Sequence, residues 1–416
     1  MAGHVQDRWF KVEPGPDGKP VKVKSDRHGT GMRYRARYVA PDGSEKSKSF
    51  PDRKKREADQ WLTHIEADMS RGQYIDPGAA RITFRQYAES WLETRTSSPT
   101  TRVELGRRLR LHAYPVIGSR SVGTFRPEHI RHLLAVLEAK PGVSSSYART
   151  IYADVRSVLS AAVDDELLIR NPCSAKSVRA PKADSSRVMP WTPVQVLGVR
   201  AALEERYRAA VDVGAGCGLR QGEVFGLAED ALDFEGRTLH VVRQIKHVEG
   251  RPVFALPKCE KERDVPLPDS VAGALKAHMG ICKPVEVTLP WGTPEGPKVS
   301  ARLLFTNPGG GIVWRSNFNA HDWKPALASI GLIPEVEEGQ RYASARVHGM
   351  HALRHFYASV LLDSGESVKA ASEYMGHADP AMTLRVYAHL MPNSRERSRR
   401  AIDGAFGMPH VEDHGP

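Results

Sequence analysis

The stretch from Arg170 to Val188 (RNPCSAKSVRAPKADSSRV) constrains this chain most. It consists of prolines, serines, alanines and basic residues with hardly a large apolar side chain, so it reads as a linker, residues 171–188. A chain of 416 residues holds two or three domains at roughly 150 residues each. The linker therefore separates units that are each long enough to bury a core. Positive charge gathers at the start: residues 1–56 carry 15 Lys and Arg against 7 Asp and Glu, a net of +8 out of +11 for the whole chain. Such a balance favours a polyanionic partner. No run approaches the roughly 18 apolar residues of a membrane span. The opening MAGHVQDRWFKVEPG has neither an apolar segment nor a small-residue cleavage site, and Cys173, Cys217, Cys259 and Cys282 lack metal-ligand spacing. The expectation is a soluble, cytoplasmic protein with reduced thiols and no membrane contact.

Arg33, Arg35 and Arg37 alternate with Tyr34, Ala36 and Tyr38, a period of two that sets three guanidiniums on one strand face. Pro41-Asp42-Gly43 turns the chain, and Lys46, Lys48 and Phe50 share a parity on the returning strand. Asp52 is placed to cap a helix through Trp61 and Ile65 to about Met69. A small sheet carrying one helix is expected over residues 1–72, its cations either blunting an edge or entering a DNA groove. Helices follow over Phe84–Glu93, Pro99 to about Tyr114, Pro127–Ala139 and Ser144 to about Leu168, with Thr83, Ser98 and Ser144 as N-caps. Together they form an all-α bundle, residues 82–170. Arg102, Arg107, Arg108 and Arg110 crowd its second helix, as a solvated face or one that meets phosphates.

Beyond the linker, Trp191-Thr192-Pro193 opens a mixed, mostly helical domain over residues 189–400, followed by a tail at 401–416. Its helices are expected near 193–205 and 207–215 and from 316 onward, and its strands near 237–243, 252–256 and 303–306 in a small antiparallel sheet. Lys283 to Lys298 (KPVEVTLPWGTPEGPK) reads as a hairpin or loop insertion. The expected class is therefore multidomain α+β.

This last domain gathers basic and imidazole residues in short strings: Arg220 in GCGLRQGE, Lys258 in LPKCEKERDVPLP, His351 and Arg354 in HALRH, His377 in YMGHADP and Tyr387 in RVYAHL. No acidic cluster accompanies them. Phosphoryl transfer needs such groups, because the arginine fork binds two oxygens and keeps its charge. A tyrosine beside a base in a positive field is a fair nucleophile, and a lysine next to a phosphate delivers a proton. Asp164-Asp165-Glu166 spells a metal triad, but consecutive helical residues point in different directions. His348, His351 and His355 lack an HExxH pattern and have Arg354 among them, so no metal site is expected and His355 packs or orients a neighbour.

These strings, in this order and behind a basic sheet and a helical bundle, resemble the tyrosine recombinases, or phage integrase family, across all three domains. The resemblance makes Arg220 in Gly218-Leu219-Arg220-Gln221-Gly222-Glu223 one phosphate clamp, oriented by Glu223, and Arg354 in the His351-Ala352-Leu353-Arg354-His355 string the other. Lys258, preferred over Lys261, becomes the acid for the leaving oxygen, ahead of the strand Arg263-Asp264-Val265-Pro266-Leu267. His351 accepts the phenolic proton, His377 after Gly376 donates to the phosphate, and Tyr387 in Tyr387-Ala388-His389 attacks.

What this implies is a site-specific recombinase that integrates and excises a phage or mobile-element genome through a 3′-phosphotyrosyl bond, with no cofactor. Residues 1–72 would hold arm-type DNA through Arg33, Arg35, Arg37, Lys46 and Lys48, and the bundle core DNA through Arg102, Arg107 and Arg108. Four copies would assemble on double-stranded DNA, with a directionality factor and a host DNA-bending protein, in the host cytoplasm or nucleoid. The stretch Arg395 to Arg400 would pack on a neighbouring subunit or stay solvated. A silent DNA-binding regulator of the same fold and a type IB topoisomerase-like enzyme are the alternatives these residues allow.

Overall fold

The computed structural model describes residues 3–14, 19–72, 74–76, 78–96, 98–182, 189–337, 339–377, 379–387, 399, 402 and 405–406. Residues 183–188 of the linker, His389 with the rest of 388–398, and most of the tail at 401–416 lie outside the described residues. Two compact units divide the chain, Met1–Ser185 and Ser186–Pro416.

The first unit opens with a three-stranded antiparallel sheet in the order β1 (His4–Asp7), β4 (Tyr34–Val39), β5 (Glu45–Phe50), against which α1 (Lys55–Ser70) packs. A separate hairpin, β2 (Phe10–Pro14) and β3 (Pro20–Lys24), lies between β1 and β4 in sequence. Tyr34, Ala36, Tyr38 and Phe50 bury themselves with Ala58 and Leu62 of the helix.

The ladder assigns the cations of this sheet to its two faces. Tyr34 pairs with Phe50, Ala36 with Lys48 and Tyr38 with Lys46, and directly opposed residues share a face. Lys46 and Lys48 therefore belong to the helix side, not to the face of Arg35 and Arg37. Lys46 is bound to Asp76 at 2.7 Å, and Lys48 lies over the Phe50 and Trp61 rings. Arg33 precedes the strand and ties Asp7 to Asp52, both at 3.0 Å, which makes it a clasp of the sheet. Asp52 is consumed there. It does not cap α1, whose N-cap position is Lys54, with no side-chain cap bond. Arg35 donates to Ser47, and Arg37 to Glu45 at 2.5 Å, on the open face.

The bundle follows: α2 (Phe84–Thr94), α3 (Pro99–Arg108), α4 (Tyr114–Ile117), α5 (Pro127–Ala139) and α6 (Ser145–Asp164). Thr83, Ser98 and Ser144 accept from the backbone N–H three residues on, as the expected caps require. The helix expected from Pro99 to Tyr114 is interrupted by a π turn at Leu109–Ala113. Pro115 cannot donate to the Leu111 carbonyl, and Lys140 Nζ reaches that oxygen instead at 3.4 Å. Arg108, expected among the DNA-contacting cations, turns inward and pairs with Asp154 at 2.6 Å, a half-buried ion pair. Arg107 stays exposed beside Glu104. Asp165 accepts from Tyr87 at 2.6 Å, which gives that acidic triplet a structural partner. The start of the linker also differs from a free connector: Cys173 and Val178 are buried in the bundle core, and the Cys173 carbonyl accepts from Tyr152.

In the second unit, α7 (Pro193–Ala202), α8 (Glu205–Gly216) and the short α9 (Gln221–Phe225) lead into a sheet ordered β10 (Arg263–Pro266), β7 (Thr238–Val241), β6 (Leu232–Asp233). Two hairpins flank it, β8 (Gln244–Val248) with β9 (Arg251–Ala255), and β11 (Val285–Pro290) with β12 (Lys298–Leu303) after α10 (Asp269–Ile281). The expected insertion is thus a hairpin, and the strand expected at 303–306 ends at Leu303. The helices after residue 315 are α11 (Arg315–Phe318), α12 (Lys324–Ser329), α13 (His351–Asp363), α14 (Val368–Met375) and α15 (Pro380–Tyr387). They are not continuous: a π turn at Asn319–Trp323 precedes Pro325, and 330–337 and 339–345 are irregular.

Replacing Arg108 with alanine leaves Asp154 buried without its cation and lowers the stability of the first unit by about 3 kcal/mol. Arg107→Ala changes it by less than about 0.5 kcal/mol. Urea unfolding followed by circular dichroism measures both.

Candidate active site

The C-terminal end of α14 organises the site. Arg263 Nε donates to the Tyr374 carbonyl at 2.7 Å, Arg354 Nη2 to that of Met375, and Arg220 Nη2 to that of Gly376 at 3.0 Å. Three guanidiniums thus converge on one helix terminus, whose free carbonyls carry partial negative charge. Gly376 ends the helix at φ +61°, a left-handed position that suits glycine.

Each cation has a second tether. Glu223 is fully buried and ion-paired to both Arg220 and Arg263 at 2.7 Å, and it also accepts from the Arg220 backbone N–H. Burial pushes its carboxyl up, but the hydrogen bond and charge of Arg263 and the charge of Arg220 outweigh this and hold it down to about 2. Arg354 Nη1 donates to the Gly218 carbonyl at 2.7 Å. Gly218 sits at φ +67°, where a Cβ would fall 2.3 Å from the Tyr357 ring, so only glycine fits. Arg354 is 1% exposed, and its buried Nε–H has no partner among the described residues. Burial and the neighbouring Arg220 pull its pKa down to about 9.

The imidazoles lie in this field. His351, His355 and His377 are each lowered to about 4, first by desolvation. For His351 the further causes are Arg354, Arg220, His377 and Lys258, so four of the residues expected in the site act on the fifth. Lys258 itself is exposed, on a short turn (Lys258–Glu260) that links β9 to β10. His377 Nδ1 lies 2.8 Å from Thr383 Oγ1, which fixes the ring. His348 contacts Trp191 Nε1 and takes no part.

Tyr387 closes α15 with its side chain 1% exposed. Burial raises its phenol to about 12, against the pull of Arg354. Its oxygen meets His355 Nδ1 at 2.5 Å, while His351 lies one turn earlier with its ring edge-on to His355 at 4.6 Å. The partner expected for the phenol was His351, and the geometry places His355 there. Sequence reasoning also passed over Arg263. Its only cue was its place in the basic strand after Lys258, because its partners are 40 and 111 residues distant.

Such an excess of cations beside imidazoles and a tyrosine, on a mixed, mostly helical domain, is a site suited to a phosphate group. The model of the Phage integrase family matches residues 194–394. The integrase of Mycobacterium phage L5 is 27% identical over 374 residues, 87% of this chain and 92% of its own. Among solved structures, the integrase of the Tn1549 transposon in complex with a circular intermediate DNA has the same fold, with a TM-score of 0.63 at 20% identity, covering 77% of this chain and 99% of that one. A lambda integrase tetramer bound to a Holliday junction gives a TM-score of 0.51 at 14% identity, over 83% and 93%. Residues 194–394 form a domain that matches the phage integrase family of tyrosine recombinases, and the similarity makes the chain a site-specific DNA recombinase.

A carboxyl whose folded pKa is depressed contributes stability that is present above its unfolded pKa and lost as pH falls through the folded one. The contribution of Glu223 is therefore lost between pH 4.5 and about 2. Thermal unfolding across that window should show the gap between wild type and Glu223→Gln shrinking as acid is added.

Proposed function

We propose that Tyr387 attacks a DNA phosphodiester held by Arg220 and Arg354, leaving a 3′-phosphotyrosyl bond and a free 5′ hydroxyl that later attacks a partner strand. The observation that carries this reading is the buried Arg354, which keeps an unpaired N–H and acts electrostatically on Tyr387. An arriving phosphate oxygen satisfies that donor, and the two clamps offset the charge that builds up in the transition state. Lys258, on its exposed turn, delivers a proton to the leaving 5′ oxygen. His377 and His351 donate to nonbridging oxygens. Glu223, with Arg263, is a positioning residue for Arg220.

In this reading the biological task is integration and excision of a phage or mobile-element genome, which the relatedness to phage and transposon integrases supports. Residues 1–72 hold arm-type DNA through the open face of Arg35 and Arg37. Residues 82–170 with the catalytic domain hold core DNA, and four copies assemble on two sites, as the lambda integrase tetramer does on its junction. A directionality factor and a host bending protein select the direction, in the cytoplasm or nucleoid of the host.

Tyr387→Phe should abolish the covalent adduct on a nicked suicide duplex of the core site while its band shift persists, and EDTA should leave wild-type cleavage undiminished. Adduct from the phenylalanine variant would refute the assignment. On arm-type DNA, Arg35→Ala should flatten the slope of log affinity against log salt by about one. Lys46→Ala, removed from the opposite face, should leave that slope unchanged.

A further inference from the structure

The geometry points to His355 as the group that takes the proton of the Tyr387 hydroxyl. This rests on the reading of Tyr387 as the nucleophile and deepens it. His355 Nδ1 and the phenol oxygen are 2.5 Å apart and enclosed, with Tyr387 buried and His355 half-buried. His355 lies one turn after His351 on α13, so the two rings share a helix face but meet different partners. The ring of His351 opens to solvent among Arg354, Arg220, His377 and Lys258, the groups that would surround a phosphate. The ring of His355 faces the phenol.

The charged and titratable groups acting on His355 are His351 and Arg354 from its own helix, His377 from beyond the end of α14 and Tyr387 from α15. Their field and desolvation keep the imidazole neutral at neutral pH. In the proposed role its ring proton sits on Nε2, so the Nδ1 lone pair accepts from the phenol. As the Tyr387 oxygen bonds to phosphorus, its O–H bond breaks and the proton goes to Nδ1, giving an imidazolium. The bond from phosphorus to the 5′ oxygen breaks in the same step, and that oxygen takes a proton from Lys258. On rejoining, the 5′ hydroxyl returns its proton to the lysine, and the departing tyrosine oxygen regains its own from His355. The phosphate that enters with DNA offsets the Arg354 charge, which raises the basicity of the imidazole when the base is needed.

Single-turnover cleavage of a nicked core-site duplex by the full chain tests this. Wild type should show a rate nearly flat between pH 7 and 9. His355→Gln should cleave roughly 10²- to 10⁴-fold more slowly at pH 7. Its rate should climb about tenfold per pH unit, because attack then waits for a scarce phenolate. Added imidazole should restore part of the rate of His355→Ala. A wild-type rate and a flat profile in His355→Gln would overturn the proposal, even with the Tyr387 adduct intact. No adduct from wild type would overturn the nucleophile assignment as well. Histidine ¹⁵N spectra of the DNA-free wild type give a test independent of variant folding: an unprotonated, hydrogen-bonded Nδ1 on His355 supports the role, and an Nδ1–H donor refutes it.

Discussion

The guanidinium cluster depends on the last turn of α14, where the carbonyls of Tyr374, Met375 and Gly376 accept from Arg263, Arg354 and Arg220. A helix end is a weak anion, and it gathers three full cations from three distant parts of the chain. Glu223 is the carboxylate that joins two of them. Three guanidiniums against one carboxylate leave two positive charges that partial charges on carbonyls cannot neutralise. Burying such an excess is costly unless an anion arrives. The unpaired Nε–H of Arg354 adds about 1–3 kcal/mol to that cost. The cluster is thus held together at the expense of stability, and in the proposed function a phosphate supplies the charge it lacks.

The same field sets the protonation of everything near it. Three imidazoles that would titrate near neutrality are kept neutral, and they become donors and acceptors with no charge of their own. Burial wins over the cations at Tyr387, so its phenol stays protonated and enclosed without DNA. In the proposed function, a nucleophile in that state is protected from stray electrophiles. Its activation has to come with the substrate, because only an added negative charge moves the imidazoles back toward basicity.

What was legible in the sequence was local. Gly-Leu-Arg, the HALRH string and Gly-His are short because each pairs a cation or imidazole with a glycine or helix turn that orients it, and Gly218 and Gly376 show why those glycines are needed. Caps at Thr83, Ser98 and Ser144 were legible for the same reason. What failed was pairwise. Parity along one strand cannot say which face its partner shares, so the side of Lys46 and Lys48 stayed open until the register set it. Arg108 looked like surface charge until Asp154, 46 residues on, turned it inward. Arg263 and His355 act through partners that no window along the chain contains. The π turns before Pro115 and Pro325 show a further limit, since helical periodicity continues through a proline that the backbone must accommodate.

The hairpin formed by β11 and β12 gains a purpose from where it packs. Leu289, Ala301 and Leu303 bury against Ile245 and Phe254 of the β8–β9 hairpin, forming a core separate from the main one. Gly292 N donates to the Phe254 carbonyl, and Trp291 bridges the same residue, so the end of β9 is stitched to this hairpin. Lys258 follows four residues after Phe254 on an exposed turn. An exposed lysine on a bare two-stranded hairpin would be poorly positioned, because isolated hairpins are marginal in water. The satellite core anchors that strand at its base. The segment that reads in the sequence as a hairpin or loop insertion therefore braces the strand leading to the proposed general acid, and the guanidinium cluster needs no such brace because α14 already holds it.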